Sequence, residues 1–338
     1  MRRDTIFRIA SMTKAVTAAA AMILVEETAL RLDDPVDPWL PELANRKVLR
    51  DLGSTLNDTV AANRPITLRD LLTFTFGLGL IFVPPGRYPI QKAIDAAEIS
   101  PGPYALQVSP DDYMKRLGAL PLICQPGTQW HYHTGSDVIG VLIARASGVP
   151  FPRFLEERIF APLGMADSGF QVPESKRDRF ATAYEYDADG RLSVVDEVGG
   201  RFAKPPIFPS GGGGLVSTVD DYLAFARMLL RGGQHVLSRP SVELMLTDAL
   251  TPAQKVASQF MPGFFDSWGF GGSIVTRRTG VATTPGQYGW VGGLGTLFSV
   301  DRQEDVLTVF LSQRAMRHPS DIPLGQDFQT LAYRALAN

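Results

Sequence analysis

From Ser11 onward the chain reads Ser-Met-Thr-Lys-Ala-Val-Thr-Ala-Ala-Ala-Ala-Met-Ile-Leu-Val-Glu26, a run of good helix formers whose alanines and aliphatics fall on every face. Such a helix has no side to give to water, so the rest of the protein has to enclose it. With 338 residues the chain is long enough to do so, as one large composite domain or two intimate ones. Ile9 and Ala10 have no capping side chain, which makes Ser11 the first good N-cap. Lys14, three residues on, projects from the same side, so an enclosed helix opens with a hydroxyl beside an amine.

Composition removes several classes. Apolar residues make up 45% and charged residues 20%, which excludes disordered, collagen-like and coiled-coil chains. Lysine plus arginine number 33 against 35 acids, a net charge of −2, too balanced for a chain that works by neutralising phosphates; no nucleic-acid partner is expected. Cys124 is the only cysteine, so no disulfide framework or cysteine zinc cage is available, and it reads as a buried small hydrophobe. The longest apolar stretch, Ala15 to Val25, falls short of a membrane span. The start, Met1-Arg-Arg-Asp, turns acidic where a secretory signal turns apolar, so the cytoplasm is the expected compartment and no membrane partner is expected.

Along the chain, Thr67 caps a short predicted helix, and residues 80–110, with Pro84, Pro85, Gly86, Pro89, Pro101, Gly102 and Pro103, read as a long loop with a helical turn near Gln91 to Glu98. Helices are predicted over Asp111–Leu117, Ser136–Ala146, Phe151–Ile159, Arg239–Thr247 and Gln326–Ala337. The glycines Gly211 to Gly214 form a turn into a helix capped at Ser217 or Thr218; they lack the Gly-Lys-Ser/Thr of a phosphate loop. Beyond residue 265 the runs Gly271–Arg278, Gly292–Val300 and Val306–Gln313 predict adjacent antiparallel strands.

Taken alone, Ser11-x-x-Lys14 is either an N-cap with an unrelated lysine or a hydroxyl with its base one turn away. Its company changes the reading. Phe7-Arg-Ile-Ala-Ser-Met-Thr-Lys14 resembles the nucleophile segment of the serine β-lactamase and penicillin-binding protein superfamily. Six further segments follow in order: Leu32-Asp-Asp-Pro-Val36, Ile66-Thr-Leu-Arg-Asp-Leu-Leu-Thr73, Gln125-Pro-Gly-Thr-Gln-Trp-His-Tyr132, Ile159-Phe-Ala-Pro-Leu-Gly-Met165, Gly213-Gly-Leu-Val-Ser-Thr-Val-Asp-Asp221 and Gly289-Trp-Val-Gly-Gly-Leu-Gly-Thr296. Within the superfamily the chain is most similar to the class C β-lactamase-like esterases, the family VIII carboxylesterases. No Gly-x-Ser-x-Gly elbow of an α/β-hydrolase occurs.

The resemblance implies Ser11 as nucleophile, Lys14 as the lysine of the SxxK motif, and Tyr132 as the tyrosine that accepts the serine proton and later returns one to the leaving group. A neighbouring ammonium is expected to draw the phenol below its ordinary pKa of about 10. His133 and Thr134 stand where the family often has Ser and Asn, giving His133 a place in substrate binding. Trp290-Val-Gly292 replaces the Lys-Thr-Gly of β-lactamases, so Trp290 and Gly292 are expected at the substrate, with neutral esters favoured over carboxylate-bearing penicillins. The backbone amides of Ser11 and Gly293 are the implied oxyanion hole. His131 and His133 alternate at strand spacing, but the nearest carboxylate, Asp137, falls in the following predicted helix and no third His is near; neither metal nor cofactor is expected.

The implied fold is α+β, an antiparallel sheet flanked by helices plus an inserted helical domain, divided as residues 1–22 and 233–338 (sheet part) and 23–232 (helical part). Relatives usually carry a helix and strands before the nucleophile segment, whereas here Ser11 follows ten residues; either the start is truncated or those elements are missing, and in the second case a sheet edge open to a homodimer partner is expected. The expected activity is hydrolysis of short-chain carboxylic esters through an acyl-enzyme. The rivals are a β-lactamase or D-amino-acid peptidase, an acyltransferase, and a catalytically inactive penicillin-binding-like protein.

Overall fold

The structure, a computed structural model, describes residues 1–102, 106–257, 266–318 and 321–337. Pro103, in the predicted long loop, lies outside the described residues. The strands that frame the site are β1 (Phe7–Arg8), β2 (Val216–Ser217), β3 (Ser267–Trp268), β4 (Ser273–Ile274), β5 (Tyr288–Gly292), β6 (Thr296–Asp301) and β7 (Val306–Phe310). The helices are α1 (Thr13–Glu26), α2 (Leu68–Leu72), α3 (Thr134–Ser147), α4 (Val219–Leu230) and α5 (Pro323–Arg334).

Strands β3 to β7 form one antiparallel sheet in the order β7-β6-β5-β4-β3. Short turns join β5 to β6 and β6 to β7, and the register sets Phe298 opposite Trp290 and Val300 opposite Leu307. Strand β1 pairs with β2 instead, Phe7 facing Ser217. Helix α4 packs on β6 and β7. No single helix among the described residues is long and apolar enough to cross a membrane.

Helix α1 runs through the middle of this arrangement, and every residue from Thr13 to Leu24 is buried. Its alanines permit close approach. A Cβ on Gly271, whose φ is +77°, would stand 2.5 Å from the Lys14 carbonyl and 2.7 Å from Ala18 Cβ, so the loop before β4 touches the helix directly. The polar groups of α1 reach the glycine run: Thr17 Oγ1 donates to the Gly211 carbonyl (2.8 Å), and Thr13 Oγ1 accepts from Leu215 N (3.2 Å).

Three local expectations change. Ser11 caps nothing: it lies in a 3₁₀ turn, Ala10–Met12, and α1 starts at Thr13 with no side-chain cap, because the hydroxyl is engaged elsewhere. The helix predicted over Phe151–Ile159 is α-helical only to Leu155, widens into a π turn over Glu156–Phe160, and ends after Ala161–Leu163 at the left-handed Gly164. The strand predicted from Gly271 shrinks to Ser273–Ile274, since Gly271 and Gly272 are spent on close approaches to α1 and to Tyr288.

Candidate active site

Two segments distant in sequence bring their side chains to the start of α1. The first is the turn into α3. His131 N donates to the Phe74 carbonyl (2.8 Å) and Leu80 N to the Tyr132 carbonyl (3.0 Å), which fixes this strand-like approach. Thr134 N then donates to the Tyr132 carbonyl two residues back (3.2 Å), placing His133 at φ +82°, ψ −63°, the strained form of γ-turn. The second segment is the glycine run after Ser210, where Gly212 sits so close to His133 that a Cβ would come within 2.6 Å of Nε2.

At the centre, Lys14 Nζ is 3.0 Å from Ser11 Oγ, 2.5 Å from the Gly212 carbonyl and 3.2 Å from His133 Nδ1. The same Nζ lies 4.4 Å from the centroid of the Tyr132 ring. Tyr132 is hydrogen-bonded to Ser11, and its hydroxyl accepts from Trp290 Nε1 at 2.6 Å. Ser11, Lys14 and Tyr132, separated by up to 121 positions, are therefore brought together.

The electrostatics reverse one expectation. Burial, with help from the hydrogen bonds of Ser11 and Trp290 only in the opposite direction, pushes the Tyr132 phenol well above its ordinary value, so it stays protonated at neutral pH. Burial is instead decisive for the amine. It lowers Lys14 from 10.5 to about 7, the negative charge of Asp137 opposing, so much of the amine is neutral at physiological pH. Lys14 thus presents a largely neutral amine beside the Ser11 hydroxyl, and Tyr132 a phenol that keeps its proton.

A family model for beta-lactamases matches residues 1–326. The chain belongs to the beta-lactamase family. Among curated relatives of this family, protein Rv1367c of Mycobacterium tuberculosis is 40% identical over 93% of this chain and 78% of its own. Esterase EstB of Burkholderia gladioli is 31% identical over 93% of this chain and 79% of its own. The solved structure of EstCE1, described as a hydrolase with promiscuous acyltransferase activity, superposes with a TM-score of 0.78 at 25% identity, covering 100% of this chain and 86% of that one. The mixed α/β architecture with its antiparallel sheet is the beta-lactamase and penicillin-binding-protein fold, and the family places the chain broadly among serine hydrolases with esterase relatives.

Within this beta-lactamase-family site, the remaining predicted residues take distinct places. Gly292 ends β5 against the residues preceding Ser11: a Cβ there would stand 2.5 Å from the Ile9 carbonyl, and Thr296 Oγ1 donates to that same carbonyl (3.1 Å). Ala10, at φ +46°, bends the chain at this contact. Gly293 follows at the turn, where a Cβ would meet nothing within 4 Å. Trp290 and His133, expected at the substrate, are both buried, at 4% and 5% exposure. Trp290 packs edge-on against Trp268 (4.7 Å between centroids) and holds the Tyr132 hydroxyl; His133 stands behind Lys14. Their positions follow from the buried polar groups each satisfies.

Two participants were not singled out by the motifs. Asp137 Oδ2 is 3.2 Å from His133 Nε2, while its Oδ1 accepts from Ser210 Oγ (2.6 Å) and Gly212 N (2.9 Å). Gly212 contributes its carbonyl to Lys14. The signals were present as a His-x-x-x-Asp spacing into a helix and as glycine density opposite it. No group of three or more His, Cys, Asp or Glu able to hold a metal occurs among the described residues.

Proposed function

We propose that the protein hydrolyses short-chain carboxylic esters through an acyl-enzyme on Ser11. The observation that carries this reading is a fully buried lysine, lowered to about 7, 3.0 Å from a serine hydroxyl. Lys14 takes the Ser11 proton as Oγ forms its bond to the ester carbonyl carbon, and the carbonyl pair moves onto oxygen, opposite the Ser11 and Gly293 amides. The carbon–alkoxide bond then breaks, the leaving oxygen taking the Tyr132 proton, which the Lys14 ammonium replaces. Water attacks the acyl-enzyme by the reverse route and frees the acid.

Esters are favoured over β-lactams because Trp290 stands where a lysine would pair with a lactam carboxylate. The esterase name of EstB supports the same class. The EstCE1 description supports transfer of the acyl group to an alcohol as a second outcome of the same intermediate. Rates on p-nitrophenyl butyrate and nitrocefin test the first point: kcat/KM is expected to be higher for the ester, and a preference for nitrocefin overturns it. Fluorophosphonate labelling lost in Ser11→Ala tests the nucleophile. Formation of butyl butyrate when butanol is added tests acyl transfer.

A further inference from the structure

The arrangement behind Lys14 is more specific than burial requires. Two of the three groups around Nζ can be assigned a hydrogen-bonding sense. The Gly212 carbonyl, 2.5 Å away, can only accept. His133 Nδ1, 3.2 Å away, accepts or donates according to tautomer, and the tautomer is set from the other side of the ring. Asp137 lies 3.2 Å from Nε2 and is 2% exposed. Burial works against its charge, but His133, Ser210 and the Gly212 amide together hold it below the ordinary carboxylate range. The ionised carboxylate accepts only, so the single proton of a neutral His133 sits on Nε2 and leaves Nδ1 a lone pair.

An unprotonated lysine has two N–H groups and one lone pair. The N–H groups go to Gly212 and His133. The remaining neighbour is the Ser11 hydroxyl. Resting on the serine-hydrolase reading above, we propose that Asp137 and His133 form a positioning pair that aims the Lys14 lone pair at the Ser11 hydroxyl. When Ser11 gives up its proton, the resulting ammonium makes three donations to the same three neighbours, so nothing has to move. The strained γ-turn at His133 accords with a ring held in place for this purpose. The charged and titratable groups facing the ring are Lys14 on α1, Asp137 on α3 and Tyr132, whose ring lies edge-on at 5.8 Å; Ser210 and Gly212 close the remaining side.

The pair has a vulnerable point. Asp137 Oδ1 is held by two donors, Ser210 Oγ and Gly212 N. In Asp137→Asn the amide oxygen keeps those bonds, and the NH₂ turns to His133 Nε2. The ring must then carry its proton on Nδ1, where it captures the Lys14 lone pair. The variant is isosteric, and loss of about 10³- to 10⁴-fold in kcat with KM little changed is expected, the upper figure being the scale of a wrong histidine tautomer.

Two substitutions at His133 separate aiming from packing. Asn carries an oxygen at the Nδ1 position and tolerates positive φ, whereas Gln carries its polar atoms out to the Nε2 position and leaves Lys14 without an acceptor. His133→Asn is expected to retain kcat within about tenfold and His133→Gln to lose about 10²-fold or more. The full-length chain is assayed with p-nitrophenyl butyrate and by fluorophosphonate labelling rate, with thermal midpoints recorded alongside. Asp137→Asn within about threefold of the parent kcat, or equal losses in the two His133 variants, overturns the proposal. If Asp137→Asn does not fold, the His133 contrast decides. Retention of labelling by Ser11→Ala defeats the underlying hydrolase reading instead, and is read independently.

Discussion

The indole of Trp290 donates to the hydroxyl of Tyr132 at 2.6 Å across 158 residues of sequence. This bond lowers a phenol pKa that burial raises, making Tyr132 a better proton donor than its surroundings alone permit. Trp290→Phe keeps the aromatic packing and removes the donor. For ethyl butyrate, whose alkoxide needs a proton to leave, kcat is expected to fall about tenfold, while p-nitrophenyl butyrate, with its stable phenolate, is expected to change little. Equal effects on both esters would count against proton donation by Tyr132.

Lys14 sets the acid limb of the pH profile. Burial lowers it to about 7. Its neutral form is the base, so kcat/KM for a neutral ester should rise with pH below that value and level above it. The same shift makes stability rise with pH: between about 7 and 10.5 the unfolded chain holds a proton on this lysine that the folded chain lacks, and that difference favours unfolding less as pH increases. A profile of p-nitrophenyl butyrate hydrolysis, corrected for the spontaneous reaction, checks the first statement. A limb near the ordinary lysine value would overturn the lowered pKa of Lys14, and the absence of any limb near 7 would remove Lys14 as the base at neutral pH.

Much of this was legible in residue order, and the reasons differ by element. The all-apolar flank of Lys14 announced an enclosed helix, and Thr218 and Thr67 both cap the helices expected of them, with Thr218 accepting from Asp221 N. Runs rich in β-formers between Gly and Asp turns pointed to β6 and β7, which are six and five residues long and need no alternation to be read. The two-residue strands β1 and β2 have no period to read; their pairing depends on contacts between positions more than 200 apart. At the site, the resemblance carried by the colinear segments brought forward Ser11, Lys14 and Tyr132, whereas the surroundings of Trp290 and His133 turned on burial. A tryptophan N–H and an imidazole both need partners once enclosed, and only the three-dimensional arrangement says which partners those are. The same holds for the phenol: the charge expected to lower its pKa is itself diminished by burial.

Helix α2 gives a test of stability near the site. Its capping box joins Thr67 to Asp70, and Arg64 forks onto the same carboxylate at 2.6 and 2.8 Å. The far end of α2 supports α3 so closely that a Cβ on Gly135 would stand 2.5 Å from the Leu71 carbonyl. Asp70→Ala removes the acceptor of Thr67 N and Oγ1 and the partner of Arg64, while Thr67 Oγ1 still caps the backbone N–H of residue 70; since the Arg64 side chain is 41% exposed, the combined loss is expected to be about 1–2 kcal/mol. Denaturant unfolding measures it. A loss below about 0.5 kcal/mol would mean that neither interaction contributes appreciably.

The glycine run supplies a matched pair of substitutions. A Cβ on Gly212 would lie 2.6 Å from His133 Nε2, and the ring cannot retreat without losing either Lys14 or Asp137. At Gly213 the nearest atom to such a Cβ is the Ala10 carbonyl carbon at 3.8 Å, an ordinary contact. One methyl group added at adjacent positions should therefore have unequal effects. Gly212→Ala is expected to slow fluorophosphonate labelling about 10²-fold, the scale of a displacement near one ångström at a reacting group, and Gly213→Ala to leave it within about threefold. Labelling rates and thermal midpoints of the two variants make the comparison. Equal rates would show that the close approach of Gly212 to His133 does not govern the reactivity of Ser11.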